Sequence, residues 1–132
     1  MITINADKKQ INVGSASFFN CFYSTIYEHV KKAEVPNALS LLKKRELGWP
    51  DAIKTAREFN VIRDILSTFS PSEVIWDMDN PDESPPWGKN ISPIITSLGN
   101  YFVSADGHDL ISEIILLLQY ANDEKVDISI SN

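Results

Sequence analysis

The sequence predicts an α+β fold in a single domain, with about four helices packed on a small, mostly antiparallel sheet. Apolar residues recur at helical spacing in the interior segments and alternate at both ends of the chain, and the two kinds of pattern do not follow one another in the regular order of a parallel sheet. At 132 residues and 43% hydrophobic composition, the chain can bury one core and is too short for two. The expected domain is therefore 1–132.

The elements follow in chain order. MITIN at residues 1–5 alternates apolar and polar side chains and predicts a strand, with a second extended piece at Gln10 to Val13 after the polar turn Asn5 to Lys9. Gly14 ends it. From Ser15 or Ser17, either of which can cap a helix, Phe18, Phe19, Phe22, Tyr23, Ile26 and Val30 keep helical spacing, and the pattern dissolves in KKAE before Pro36. Asn37 to Leu47 is a shorter helix with Leu41 and Leu42 inward. Its Lys43, Lys44 and Arg45 lie near the C-terminal end, where cations suit the dipole, and Gly48 stops it. Trp49, Pro50 and Asp51 start a third helix, in which Ile53, Ala56, Phe59, Ile62, Ile65, Leu66 and Phe69 recur up to Ser70-Pro71. Glu73 to Asp77 (EVIWD) is β-branched and aromatic and predicts a strand. Ser92-Pro93 can start a helical turn through Ile94, Ile95 and Leu98, and Tyr101 to Val103 can be extended. Asp106-Gly107 marks a turn, a long apolar helix runs from Asp109 to Tyr120, and Val126 to Ile130 (VDISI) alternates as a strand.

Charge is patterned along this chain. Between Glu73 and Asp109, seven carboxylates (Glu73, Asp77, Asp79, Asp82, Glu83, Asp106, Asp109) face only Lys89, and their balance equals the net charge of the whole chain, -6. The densest part, Trp76 to Pro93, combines carboxylates, prolines and two tryptophans. Such a run cannot be a helix interior or central strand, yet it carries burial-hungry rings, so it reads as an ordered acidic loop suited to a basic partner. An acidic balance argues against binding nucleic acid through its phosphates, which needs a basic stripe. No stretch approaches the roughly 20 apolar residues of a membrane span. The start MITINADKKQ lacks a signal-peptide pattern, and a cytoplasmic location is expected. The single cysteine, Cys21, excludes an internal disulfide and sits among phenylalanines as a core side chain.

Groups for catalysis are few. His29, beside Lys31 and Lys32, reads as a solvated side chain at a helix end. His108 lies between Asp106 and Asp109 at the entry to the last helix, where capping or solvation competes with partner contact or a proton-transfer role. Asp77, Asp79 and Asp82 have a D-x-D-x-x-D spacing, but a calcium loop would need a turn glycine and a Glu at its twelfth position, where Gly88 stands. No nucleophile elbow, phosphate-binding glycine loop, zinc motif or Cys-His pair is found. No catalytic residue, metal or cofactor is therefore expected. Trp49 reads as packing at the start of the third helix and Trp76 as half-buried. Trp87 is either the anchor that folds the loop onto the domain or an interface hot spot.

VIWD (Val74 to Asp77) followed by PPWGKNISPIITSLGNYFVSADGHDL (Pro85 to Leu110) resembles a family of immunity proteins from bacterial polymorphic toxin and contact-dependent growth inhibition systems, the immunity protein seventy family. GSASFFNCFYSTI, Gly14 to Ile26, loosely fits the same family's opening segment. The resemblance runs from about Gly14 to Ile130 and is specific in the central block. It implies a small cytosolic α+β protein that binds and neutralises a cognate toxin domain. It supplies no contact residues and does not identify the toxin.

Toxins that act on RNA or DNA carry basic grooves, which carboxylates can fill in place of phosphates. The expectation is a non-enzymatic inhibitor of a nuclease toxin, with Asp77, Asp79, Asp82, Glu83, Trp87, Asp106, His108 and Asp109 as candidate contacts. The competing readings are a small enzyme using acidic residues with His108 and an adaptor subunit of another complex. The cluster Lys43, Lys44 and Arg45 is either a solvated helix end or a second docking point.

Overall fold

In the computed structural model, which describes residues 1–132, the amino-terminal alternation closes into a hairpin of β1 (Ile2–Ala6) and β2 (Lys9–Gly14). Ile2, Ile4, Ala6, Ile11 and Val13 are buried on one face of it. On the other side of β1 lies β4 (Ile128–Ser131), which in turn pairs with the two residues of β3 (Glu46–Leu47). All pairings are antiparallel and the strand order is β2-β1-β4-β3.

Both sheet edges are blunted. β3 is too short to template another strand, and on β2 the carbonyls of Asn12 and Val13 accept from the Ala105 N–H at 2.9 and 3.1 Å.

Four helices cover the sheet. α1 (Ala16–His29) starts at Ser15, whose hydroxyl accepts from the Phe18 N–H at 3.1 Å, and buries Phe19, Cys21, Phe22 and Ile26. α2 (Pro36–Lys44), α3 (Ala52–Leu66) and α4 (Leu110–Glu124) follow, and α3 packs along α4. Asp109 caps α4 by accepting from the Ser112 N–H at 2.9 Å. One continuous core of 33 buried residues joins sheet and helices, so the α+β domain has no internal boundary.

α2 has a cap that its own sequence does not supply. The preceding Val35 offers no side-chain acceptor, and the carboxylate of buried Glu58 on α3 takes that role. Its two oxygens accept from the Ala38 N–H at 2.8 Å and the Asn37 amide at 2.7 Å. A charge at a helix N-terminus is stabilised there by the exposed N–H groups and the dipole.

Three sequence expectations are corrected. The second helix stops at Lys44 rather than Leu47, because Arg45 turns left-handed at φ 65 and its carbonyl accepts from the Ile130 N–H at 2.8 Å, placing Glu46–Leu47 in the sheet. EVIWD is not a strand. A 3₁₀ turn occupies Pro71–Glu73, and no strand of the sheet pairs with the residues after it. The helical turn expected from Ser92-Pro93 through Leu98 is instead a tight turn at Ser92–Ile95, with a separate 3₁₀ turn at Leu98–Asn100. That second turn lies against the end of α3. A Cβ at Gly99 would stand 2.1 Å from the Ser67 hydroxyl, so only glycine permits the approach.

Candidate functional site

The acidic loop lies against α1 and is moored by that helix's side chains. The ring Nε2 of His29 bonds the Glu73 carbonyl at 2.7 Å, and its ring stacks on Phe69 at 4.2 Å. The Thr25 hydroxyl accepts from the Ile75 N–H at 3.1 Å and donates to the Ile75 carbonyl at 3.2 Å. The Ser24 hydroxyl accepts from the Met78 N–H at 3.1 Å. The extended segment thus runs antiparallel to the helix, with hydroxyls and an imidazole replacing a strand partner. That is why a strand-like sequence sits outside the sheet: its backbone groups are partly buried and need partners, and α1 provides them. His29 is accordingly pinned rather than solvated.

Beyond Met78 the loop is a succession of tight turns whose residues match their positions. Hydrogen bonds close Asp77–Asn80, Asn80–Glu83, Pro85–Gly88, Trp87–Asn90 and Ser92–Ile95. Pro81, Pro86 and Pro93 each take the second position of a turn, where their fixed φ is already correct, and Gly88 supplies a φ of 56. Trp87 fastens the far limb. Its ring meets Trp76 edge-on at 5.4 Å, and its indole N–H donates to the Tyr101 hydroxyl at 2.6 Å. Burial pushes the Tyr101 hydroxyl's pKa up, partly offset by that bond. Trp87 is therefore an internal anchor with its polar atom already engaged. Trp76 is half-buried, as the sequence predicts, and Trp49 is half-buried at the start of the third helix, its backbone N–H donating to the Asp127 carboxylate at 3.0 Å.

The carboxylates divide into two groups. Glu73 accepts from the Ser70 N–H at 2.8 Å, and Asp77 from the Asp79 N–H at 3.0 Å and the Asn80 amide at 3.1 Å. The Asn80 amide first, then the Asp79 N–H, hold the Asp77 carboxyl below the usual carboxylate range. Asp79, Asp82 and Glu83 are exposed and form neither a side-chain hydrogen bond nor an ion pair; Lys89 forms no ion pair. A groove of ≈ 730 Å³ opens between the two limbs of the loop, with Asp82, Glu83, Lys89, Val74 and Tyr101 in its wall.

The second acidic group stands apart. Asp106 accepts from the Asn12 amide at 3.1 Å and so packs on β2, while Asp109 caps α4 and faces the Arg63 guanidinium at 3.8 Å. His108 is exposed, with its backbone rather than its ring bonded to Ser104. No hydrogen bond or ion pair joins this turn to Asp79, Asp82 or Glu83. Sequence reasoning passed over Ser24 and Thr25 and left His29 to solvent. The available signal was that Ser24 and Thr25 interrupt the apolar stretch of α1 at positions that prove fully buried.

The family model of Immunity protein 70 matches residues 4–130, from within β1 to within β4. The chain belongs to this family. Membership supports an immunity role, the binding of a cognate toxin protein. No curated protein and no solved structure gives a significant match. The Immunity protein 70 match includes every helix and the whole acidic loop, so the loop is part of the family's domain rather than an appendage. No helix is long and apolar enough to cross a membrane.

Proposed function

We propose that this immunity protein neutralises a toxin nuclease of a contact-dependent or other polymorphic toxin system, in the bacterial cytoplasm, by one-to-one blocking through its acidic surface. The observation that carries the reading is the free carboxylate set of Asp79, Asp82 and Glu83, held on turns and matched by no lysine or arginine of the same chain. Two ion pairs exist in the whole molecule, and neither involves the loop tip. Charges left unpaired on a preorganised frame are available to a cationic partner at no cost of breaking internal bonds. Opposite charge on that partner raises the association rate, up to about 10⁸ to 10⁹ M⁻¹s⁻¹ at low salt.

In this arrangement Asp79, Asp82 and Glu83 meet the basic groove of the toxin directly, while Asp77 and Trp87 fix the frame. Asp106, His108 and Asp109 form a second contact. The exposed His108 ring, without a carboxylate within hydrogen-bond reach, favours this over acid-base chemistry at the same turn. The test is titration of the purified toxin domain with the protein. Nuclease activity is expected to vanish at one equivalent, and activity persisting at excess would refute the proposal.

A further inference from the structure

The groove between the two limbs of the loop holds a hydrogen-bond donor for which the chain supplies no acceptor. Tyr101, only 6% exposed, lines it together with Val74 and Ile91. An indole nitrogen can only donate, so in the 2.6 Å bond from Trp87 the Tyr101 hydroxyl is the acceptor, and its own hydrogen bonds to nothing in the chain. The same groove has Asp82 and Glu83 in its wall, and neither side chain forms a hydrogen bond or an ion pair. Even Lys89, in that wall too, pairs with neither. Both limbs are fixed in advance. On one, the Glu73 carboxylate accepts from the Ser70 N–H at 2.8 Å and Thr25 holds Ile75; on the other, backbone bonds of 3.0 and 2.9 Å close Asn80–Glu83 and Pro85–Gly88. Solvent can meet the Tyr101 donor in the free protein, but a preformed groove of ≈ 730 Å³ with apolar and polar walls is of the size and kind that a ligand fills.

We propose that this groove receives a peptide segment of the toxin that carries a basic side chain. The inference rests on the immunity reading above and deepens it. Each part of the wall selects one feature of such a segment. The Tyr101 hydroxyl donates to a backbone carbonyl, which any peptide offers, and Val74 and Ile91 cover the apolar stem of a lysine or arginine. Asp82 and Glu83 take its cation in charge-assisted contacts, which salt screens less inside a filled groove than on an open surface. A lone cation would leave most of the volume empty and the Tyr101 donor unmet, and a nucleic-acid strand would bring its phosphates against two carboxylates. A basic peptide satisfies all three groups together. Asp79 is not part of this wall, so its charge acts on the approach of the partner and not on its retention.

The experiment compares Ser72→Trp, Ser84→Trp, Asp79→Asn and the unmodified protein against the toxin domain encoded beside its gene, with the toxin's catalytic residue disabled. The two tryptophans fill the groove from opposite limbs at exposed positions and leave the charge as it is. Each is expected to speed dissociation at least about tenfold while the association rate stays within about twofold, the pattern of a lost buried contact. Asp79→Asn should show the reverse, slower association at low salt with dissociation unchanged. Amine acylation of the unmodified protein needs no substitution: Lys89 should react when the protein is alone and be protected in the complex, with Lys43 and Lys44 reactive in both. Binding by the unmodified protein with Lys89 still reactive, or dissociation of both tryptophan variants within twofold of it, would overturn the groove while leaving the immunity reading intact. Protection of Lys89 that grows with concentration of this protein alone would assign the groove to a second copy and overturn the proposal too. Failure of the unmodified protein to bind at all would overturn both.

Discussion

Thr25 serves Ile75 as a neighbouring strand would, accepting from its N–H at 3.1 Å and donating to its carbonyl at 3.2 Å through a single hydroxyl. One side chain thereby satisfies both backbone groups of a residue that belongs to no sheet. The loop's position on α1 depends on this pair and on its neighbours His29 and Ser24.

Thr25→Val keeps the shape and removes the hydroxyl. Both Ile75 groups are then left without partners in a partly buried site, which costs about 1–3 kcal/mol. The urea midpoint should fall accordingly, and amide exchange of residues 73–78 should accelerate more than that of α3. Equal acceleration throughout would show that Thr25 supports the whole domain rather than the loop.

Glu58→Ala removes the cap of α2 and leaves the Ala38 N–H buried without an acceptor. A destabilisation of about 2 kcal/mol is expected for the loss of charge-assisted bonds at a helix N-terminus. Glu58→Gln, retaining one carbonyl oxygen, should recover part of it. A denaturation series on the three proteins decides the matter, and an unchanged midpoint for the alanine variant would remove Glu58 from this role.

Burial pushes the Cys21 thiol from 9.0 up to about 12, with a hydrogen bond to Thr25 opposing the shift. The folded state therefore favours the protonated thiol, so this group's contribution is complete below pH 9.0 and is lost as pH rises towards about 12. Tyr23 and Tyr101, also raised by burial, act in the same direction. Cys21→Ala should shallow the alkaline decline of stability relative to the unmodified protein while leaving the two tyrosines' share in place. Iodoacetamide at neutral pH should leave the native thiol unmodified.

Asp79→Lys with Asp82→Lys reverses charge at two carboxylates that bond to nothing in the chain, so stability should stay within about 0.5 kcal/mol. Association with the toxin should slow by roughly tenfold or more at low salt, and its dependence on ionic strength should weaken. Stopped-flow traces across a salt series give both readings. Unchanged association rates would place the interface elsewhere.

Most elements were legible because their apolar spacing is carried by the segment itself: β1, β2, α1, α3, α4 and β4 each pattern their own burial. Two of the three departures share a cause, since each depends on hydrogen bonds from residues remote in sequence. Glu46–Leu47 continues a helical pattern until Arg45 is drawn to Ile130, and EVIWD has strand composition but finds its partners on a helix. For the loop, prolines at turn positions and two tryptophans were enough to predict order. That Trp87 would turn its indole N–H towards Tyr101 depends on the tertiary position of Tyr101, which no local pattern encodes. Likewise Asp79, Asp82 and Glu83 differ from Asp106 and Asp109 only in what surrounds them.

β4 is the sole link between β1 and β3, and it lies near the carboxyl end of the chain. During synthesis the amino-terminal hairpin and all four helices must emerge before Ile128–Ser131 can bring the sheet together. The amino-terminal hairpin and β3 therefore stay unjoined until those residues have been made. Stalling or premature termination upstream of Ile128 would yield chains for chaperones and proteases instead of partial shields.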